Sequence, residues 1–203
     1  MSHYVDVAFK VTGESSIPID HGYGLFAGIS KVFQPMHEDV DWGVHPIWGQ
    51  QSLPGHMRLS RNSRVRIRVA ADQIAALLPL AGKTIDVRGK SIRLGVPEVH
   101  ILQPATSLHA RYVTIKGYEE ARGFEEAVGR QLDAIVDAKD RPQITVEVGP
   151  RRIMRVRQYT IVGFQLALHD LTDEASLTIQ NRGIGGKRKM GAGIFTPVKQ
   201  GDA

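Results

Sequence analysis

The sequence predicts an α+β protein of two tandem domains, residues 1–103 and 108–203, each with the element order β-α-β-β-α-β. Three observations support this prediction. The same succession of strand-like and helix-like patterns occurs twice along the 203 residues. The segment 103–107, Gln-Pro-Ala-Thr-Ser, breaks the pattern between the halves. An apolar content of 42% is enough for a core in each half. Two such units in series are typical of tandem ferredoxin-like domains.

In the first half, alternation predicts strands and a spacing of three to four residues predicts helices. The first helix, 22–33, carries Leu25, Ile29 and Val32 at helical spacing. A second helix is predicted at 71–80. Strands are predicted at 4–11, 44–48, 64–69, 84–87 and 91–96, the last two as a hairpin turning at Gly89.

The second half repeats this order. A helix at 118–136 has Phe124, Val128 and Leu132 on one side, and Asp170 or Thr172 caps a short helix that runs to residue 179. Strands are predicted at 111–116, 144–148, 153–168 and 193–198, with the two long strands joined at Gly149-Pro150.

Composition limits the functional classes. A formal charge of +5 favours an anionic partner, and the absence of cysteine excludes disulfides, thiolate metal sites and a cysteine nucleophile. No apolar stretch approaches 18 residues, and the N-terminus enters a strand pattern without a signal peptide. We therefore expect a soluble cytoplasmic protein with no membrane partner.

The most informative segment is a glycine-rich loop before the last strand. It combines five glycines with three consecutive cations: Gly183, Gly185, Gly186, Gly191, Gly193, Lys187, Arg188 and Lys189. Glycines allow conformations that turn successive N–H groups toward one concavity, and the cations add charge where phosphate would lie. The segment is not a Walker loop, because Asn181 and Arg188 replace the required glycine and Ser or Thr. The sequence predicts a polyanion-binding loop; a basic loop without a ligand is the alternative.

Two arginine clusters support an anionic partner. If 64–69 is a strand, Arg64, Arg66 and Arg68 share one of its faces. A second cluster lies at the long hairpin and contains Arg151, Arg152, Arg155 and Arg157. Because neither run contains a carboxylate, an anionic ligand is the simplest neutralising partner, although a solvated sheet face is the alternative for either cluster alone.

Three segments carry a resemblance to a known family. They are the glycine-rich loop 183–195 between the final helix and strand, Ile-Pro-Ile-Asp-His-Gly-Tyr at 17–23, and Pro-Met-His-Glu at 35–38. Over nearly its whole length the chain resembles the CRISPR-associated endoribonucleases of the repeat-associated mysterious protein (RAMP) superfamily, which cut precursor guide RNA within its repeats. Non-catalytic subunits of CRISPR effector complexes carry similar loops, so the loop alone implies RNA binding.

The resemblance implies a nuclease without metal or cofactor. In this chemistry the 2′-hydroxyl attacks the adjacent phosphate and leaves a 2′,3′-cyclic phosphate and a 5′-hydroxyl. Histidine suits the proton transfers, and His37 matches the family's acid or base. Other members of the family have a catalytic tyrosine or histidine within the first helix, and the matching position in this chain is Ser30. His21, Tyr23 and His45 are further catalytic candidates, with packing roles as their alternatives.

The implied partner is CRISPR repeat RNA folded as a hairpin, recognised through its shape, phosphates and 2′-hydroxyls by the arginine faces and the loop. Two other functions stay open at this point. The chain could be a non-catalytic RNA-binding subunit with other effector subunits as partners, or a basic ferredoxin-like module for a phosphorylated metabolite or an acidic protein. No histidine or carboxylate spacing predicts a metal site, and the oligomeric state stays open.

Overall fold

The computed structural model describes residues 3–38 and 41–198. These residues form two compact units. Unit 1 comprises 3–101 together with Lys189–Gly191, the tip of the glycine-rich loop, and unit 2 comprises 102–188 and 192–198. None of the helices in these ranges is long and apolar enough to cross a membrane.

Unit 1 contains eight strands in the residues described. They are β1 (Tyr4–Gly13), β2 (Ser16–Pro18), β3 (Gly43–Val44), β4 (Gln50–Gln51), β5 (His56–Arg58), β6 (Arg64–Ala70), β7 (Thr84–Val87) and β8 (Lys90–Ile101). Its helices are α1 (Gly22–Val32) and the short α2 (Ile74–Leu77), with 3₁₀ turns at Gln34–His37, Ala71–Gln73 and Leu78–Leu80.

Five strands of unit 1 form an antiparallel sheet in the order β3-β6-β1-β8-β7, and β2, β5 and β4 form a small second sheet. Without the added strand β7, the large sheet has the second, third, first and fourth strands of a β-α-β-β-α-β unit side by side. The register pairs Val7 with Ile67, so the alternate residues of both strands face the core on which Leu25 and Ile29 of α1 pack.

Unit 2 repeats this strand order with fewer additions. Its elements are β9 (Leu108–Val113), α3 (Ala121–Ile135), β10 (Thr145–Val156), β11 (Tyr159–His169), α4 (Asp173–Arg182) and β12 (Thr196–Pro197), with 3₁₀ turns at Arg141–Gln143 and Arg188–Met190. The sheet order β10-β11-β9-β12 is again second, third, first, fourth. Thr172 caps α4 by accepting a hydrogen bond from the Ala175 N–H, so of the two predicted capping residues, Asp170 and Thr172, the structure uses Thr172. The α+β class with two tandem ferredoxin-like folds is confirmed.

The turn predicted at Gly149-Pro150 is wrong. Strand β10 runs through this dipeptide, where the register with β11 shifts between Val148 and Arg151, and the hairpin turns after Val156 instead. Arg157 takes φ 53° there, a value that favours glycine. Because β10 is an edge strand, Pro150 can sit in it at a bulge without removing a hydrogen bond from the middle of a sheet.

Other elements are also shorter than the sequence predicts, among them the last strand, which is predicted at 193–198 and is only Thr196–Pro197. The strand at 44–48 is only Gly43–Val44, although the His45 N–H still donates to the Arg66 carbonyl; Pro46 then has no N–H to continue the ladder. The helix at 71–80 divides into a single α-helical turn flanked by 3₁₀ turns, and Pro79 lies in the last of them.

Candidate active site

His37 ends the 3₁₀ turn that follows α1. Pro35 lies at the start of this turn, the N–H of Glu38 donates to the Pro35 carbonyl, and the fully buried Met36 anchors the turn in the core. The His37 side chain is exposed. The structure therefore holds an accessible imidazole on an anchored backbone.

The imidazole of His37 lies at the end of a row of aromatic rings on α1. The ring of Phe26 meets that of His37 edge to face, with 6.0 Å between centroids and 75° between planes. Tyr23 lies one turn earlier on α1, with its ring 6.5 Å from that of Phe26. The order along this row is Tyr23, Phe26, His37. Tyr23 thus lies on the same side of α1 as His37, with Phe26 between them.

Lys189 hydrogen-bonds to the backbone on both sides of His37. Its ammonium donates to the Met36 carbonyl at 3.1 Å and to the Glu38 carbonyl. The three residues Lys189–Gly191 pack as part of unit 1, so this arrangement is internal to that unit. The Lys189 ammonium is therefore held beside the 3₁₀ turn Gln34–His37, which we call the histidine turn.

His21 is buried at the start of α1, with only 1% of its surface exposed. Its Nε2 accepts a hydrogen bond from the N–H of Ile47 at 2.9 Å, and its Nδ1 lies 3.0 Å from the Pro18 carbonyl. Because Nε2 is an acceptor, the proton is on Nδ1, which donates to Pro18. Both ring nitrogens thus bind backbone groups, which is the packing role left open by the sequence.

His45 is part of a buried charged group with Asp6 and Arg68. Arg68 donates to both Asp6 oxygens, at 2.7 and 3.0 Å, and His45 Nε2 lies 3.1 Å from Oδ1. Burial lowers the pKa of His45 to about 4, outweighing the Asp6 carboxylate, which raises it. For Asp6, burial alone would raise the pKa, but His45 and Arg68 outweigh it and hold the pKa far below its usual range. His45 is neutral at pH 7 and donates from Nε2.

The expectation that Arg64, Arg66 and Arg68 line one surface is wrong for Arg68. It is 1% exposed and bound to Asp6 of the neighbouring strand β1, a carboxylate that inspection of the 64–69 run alone could not reveal. Arg64 and Arg66 are half-buried, and Arg64 donates to the carbonyls of Arg61 and Ser63.

The second arginine cluster lies along the half of the β10–β11 hairpin that is nearer to its turn. Arg152 reaches Oε1 of Gln165 at 3.3 Å across the strand pair. All four arginines of this cluster are exposed: Arg151, Arg152, Arg155 and Arg157.

The glycine-rich loop does not have the predicted concavity of free glycine N–H groups. Four of its glycines donate within unit 2: Gly183 to the Ile179 carbonyl, Gly185 to Gln131 Oε1, Gly186 to the Thr114 carbonyl and Gly193 to the Tyr112 carbonyl. These N–H groups build the loop. The cations differ as well, since Lys187 is exposed whereas Arg188 and Lys189 are half-buried and donate to carbonyls, Arg188 to that of Asn181.

Sequence reasoning missed Phe26 and the contacts of Lys189. Phe26 lies three residues after Tyr23 and next to the apolar stripe of α1. This helical spacing could have indicated that the two aromatic side chains share a partly exposed face of the helix. The contacts of Lys189 bridge 153 and 151 positions of sequence and had no local signal. Ser30 is buried, and its hydroxyl has no hydrogen-bond partner among the described residues. Within 3–38 and 41–198, no three histidines or carboxylates come together as metal ligands.

Comparison with known proteins agrees with this architecture. The family model described as Cas6 Crispr matches residues 5–200. A CRISPR-associated endonuclease Cas6 from Myxococcus xanthus (strain DK1622) is 38% identical over 194 residues, which cover 96% of this chain and 81% of that protein.

Two solved structures share the fold at low identity. One is described as an RAMP protein binding different RNA substrates, with a TM-score of 0.71 and 14% identity over 97% of this chain and all of the other. A second concerns a Cas6-related gene from Pyrococcus furiosus, with a TM-score of 0.68 and 10% identity over 98% of this chain and all of the other. The family match and the 38% identity confirm the resemblance seen in the sequence: this chain belongs to the Cas6 family.

Proposed function

We propose that this protein is an endoribonuclease that binds CRISPR repeat RNA and cuts the precursor within its repeats, with His37 as the catalytic residue. The observation that best supports this proposal is the environment of His37. Its side chain is exposed, its backbone is held in a 3₁₀ turn, and Phe26 and Lys189 lie beside it. In His21 both ring nitrogens instead bind backbone groups, and in His45 Nε2 binds the buried Asp6. The name of the 38% identical relative, an endonuclease of this family, supports the same class of activity.

The proposed chemistry uses the RNA's own nucleophile and no metal. The 2′-oxygen forms a bond to phosphorus, the bond from phosphorus to the 5′-oxygen breaks, and the products are a 2′,3′-cyclic phosphate and a 5′-hydroxyl. One proton leaves the 2′-hydroxyl and one reaches the departing 5′-oxygen. An exposed histidine can perform either transfer, and general catalysis of this kind contributes about 10²–10⁴-fold.

RNA binding is assigned to the exposed cations. Repeat RNA in a hairpin offers phosphates and 2′-hydroxyls along A-form grooves, which suit shape and charge recognition. We assign these contacts to the four arginines of the β10–β11 hairpin and to Lys187, which are exposed. Arg68 is not included, because Asp6 already neutralises it.

The test is cleavage of a labelled repeat RNA in EDTA, alongside the same RNA with one 2′-deoxy nucleotide at the cut position. We expect one cut in the first RNA, a cyclic phosphate on its product and no cut in the second. Cleavage of the deoxy substrate, or loss of activity in EDTA, would contradict the mechanism. Tight binding without any cleavage would instead support an RNA-binding subunit, and no binding would favour a phosphorylated metabolite or an acidic protein as the ligand.

A further inference from the structure

The three cations of the glycine-rich loop have different surroundings. Lys187 is exposed, and Arg188 donates to the Asn181 carbonyl within unit 2. Lys189 is half-buried and directs its ammonium at the two carbonyls that flank His37, those of Met36 and Glu38. Of the three, Lys189 is the one whose charge is applied to protein oxygens beside the proposed catalytic group.

These carbonyls are suitable acceptors for a cation. The last carbonyls of a helical turn have no partner within the turn, and cations are favoured at that end. Hydrogen bonds from a charged donor are about twice as strong as neutral ones. Because the Met36 carbonyl lies one residue before His37 and the Glu38 carbonyl one residue after it, the ammonium ties together the two ends of the segment that carries the imidazole and restricts its backbone rotations.

Neighbouring residues support both Lys189 and the turn that carries His37. Gly191, two residues after Lys189, has φ 86°, and a Cβ there would lie 3.4 Å from Pro46. Pro46 precedes Ile47, whose N–H is bound by the buried His21. The Phe26 ring contacts the imidazole directly. The histidine turn is therefore supported at its backbone by Lys189 and at its ring by Phe26.

We infer that Lys189 is a positioning residue: it orients His37 through the Met36 and Glu38 carbonyls and does not act as a phosphate ligand. This inference rests on the proposed function of His37. Two of the three ammonium hydrogens are already directed to carbonyls. Since a misplacement of about 1 Å can cost on the order of 10²-fold in rate, loss of Lys189 should reduce the cleavage step rather than the affinity for RNA.

The test compares Lys189→Met with Lys187→Met and with Lys83→Met, an exposed lysine of unit 1 remote in sequence from the turn. Lys189→Met keeps the aliphatic stem and removes the donors. Single-turnover cleavage at saturating protein gives the rate, and titrations at several salt concentrations give the affinity and its salt slope. For Lys189→Met we expect a rate loss of about 10–100-fold with an unchanged slope. Lys187→Met should weaken binding and reduce the slope by about one, and Lys83→Met should match the wild type in both.

A double-mutant cycle with His37→Ala separates positioning from direct charge stabilisation. If Lys189 acts through His37, Lys189→Met should cause almost no further loss in the His37→Ala background. An additional loss as large as in the wild type would assign Lys189 to the phosphate and overturn the inference. So would a wild-type rate at saturation with a salt slope reduced by about one.

Chemical rescue supplies a second variant. Lys189→Ala should regain several-fold of its rate in methylammonium, which can donate to the two carbonyls, and none in tetramethylammonium, which cannot. Equal effects of the two salts would count against the inference. If His37→Ala itself cleaves at the wild-type rate, the proposed function fails; if His37→Ala is slow and Lys189→Met is not, only the inference about Lys189 fails.

Discussion

At the residue scale, His37 and His45 show how burial assigns different roles to the same side chain. His37 is exposed at the end of a turn, whereas His45 is 3% exposed and donates to Asp6. A general acid or base must reach the proton that it transfers. The exposed histidine meets this requirement, and the buried one stabilises the fold.

The buried histidine predicts a pH dependence of stability. The pKa of His45 is about 4 in the folded protein against 6.5 for an unperturbed histidine, so the unfolded chain takes up a proton first as the pH falls. Stability should therefore decrease between about pH 6.5 and pH 4, by on the order of 3 kcal/mol, and this contribution should level off below that range.

The variant His45→Gln keeps an N–H donor for Asp6 and removes the titration. Denaturant unfolding across this pH range should give a flatter profile for His45→Gln than for the wild type. The exposed His3→Gln serves as the control and should follow the wild type. An equally steep profile for His45→Gln would contradict the role assigned to His45.

Arg68 gives a second prediction at this scale. Because it neutralises the buried Asp6 with two hydrogen bonds, Arg68→Met should cost about 3–5 kcal/mol by leaving a carboxylate unpaired in the interior. Arg93→Met, at an exposed position of β8 in the same sheet, should change the free energy of unfolding by less than about 0.5 kcal/mol. Similar losses for both variants would show that Asp6 does not depend on Arg68.

At the element scale, the glycines shape the loop more than they offer donors to a ligand. Gly183 ends α4 with φ 68° and ψ −177°, a region that is essentially limited to glycine. A Cβ on Gly183 would overlap the Gly193 carbonyl, and one on Gly193 would overlap the Ile184 carbonyl. The two ends of the loop therefore approach each other through bare backbone.

This geometry predicts different tolerances for neighbouring glycines. Gly183→Ala should destabilise the protein by at least about 1–3 kcal/mol, the cost of the backbone conformation, before the overlap with Gly193 is added. Gly186→Ala should be tolerated, because a Cβ at this position would have no atom within 4 Å and its φ is not positive. Thermal unfolding of the two variants measures this, and equal losses would contradict the structural role of Gly183.

Elements with a clear periodicity were predictable from the sequence. Strand β6 and helix α1 follow from the alternation at 64–69 and from the spacing of Leu25 and Ile29. The predicted hairpin turn is misplaced because Gly149-Pro150 is a strong local turn signal, whereas an arginine such as Arg157, which has a positive φ in the structure, is not. The position of the turn is set by the pairing of β10 with β11, which continues to Val156.

The site was predictable only where its signal was local. His37 in its Pro-Met-His-Glu segment could be selected from the sequence. The burial of Arg68 depends on Asp6, 62 positions away, and the contact of Lys189 with Met36 spans 153 positions. A pattern within one element cannot show which partner another strand or loop brings to it.

At the scale of the whole molecule, net charge is a poor measure of what RNA can contact. The formal charge is +5, but the Arg68 guanidinium is buried against a carboxylate and the Lys189 ammonium is directed at two carbonyls. The four arginines of the β10–β11 hairpin and Lys187 are instead exposed to solvent. The salt slope of RNA binding should therefore depend on these residues and not on Arg68.

The central claim is that His37 performs the proton transfer, and single-turnover cleavage of repeat RNA by His37→Ala at saturating protein tests it most directly. His3→Ala, at an exposed position of the same unit, is the matched control. We predict a loss of about 10²–10⁴-fold in the rate for His37→Ala, with RNA affinity and thermal unfolding close to wild type. A rate for His37→Ala equal to that of the wild type would contradict the account.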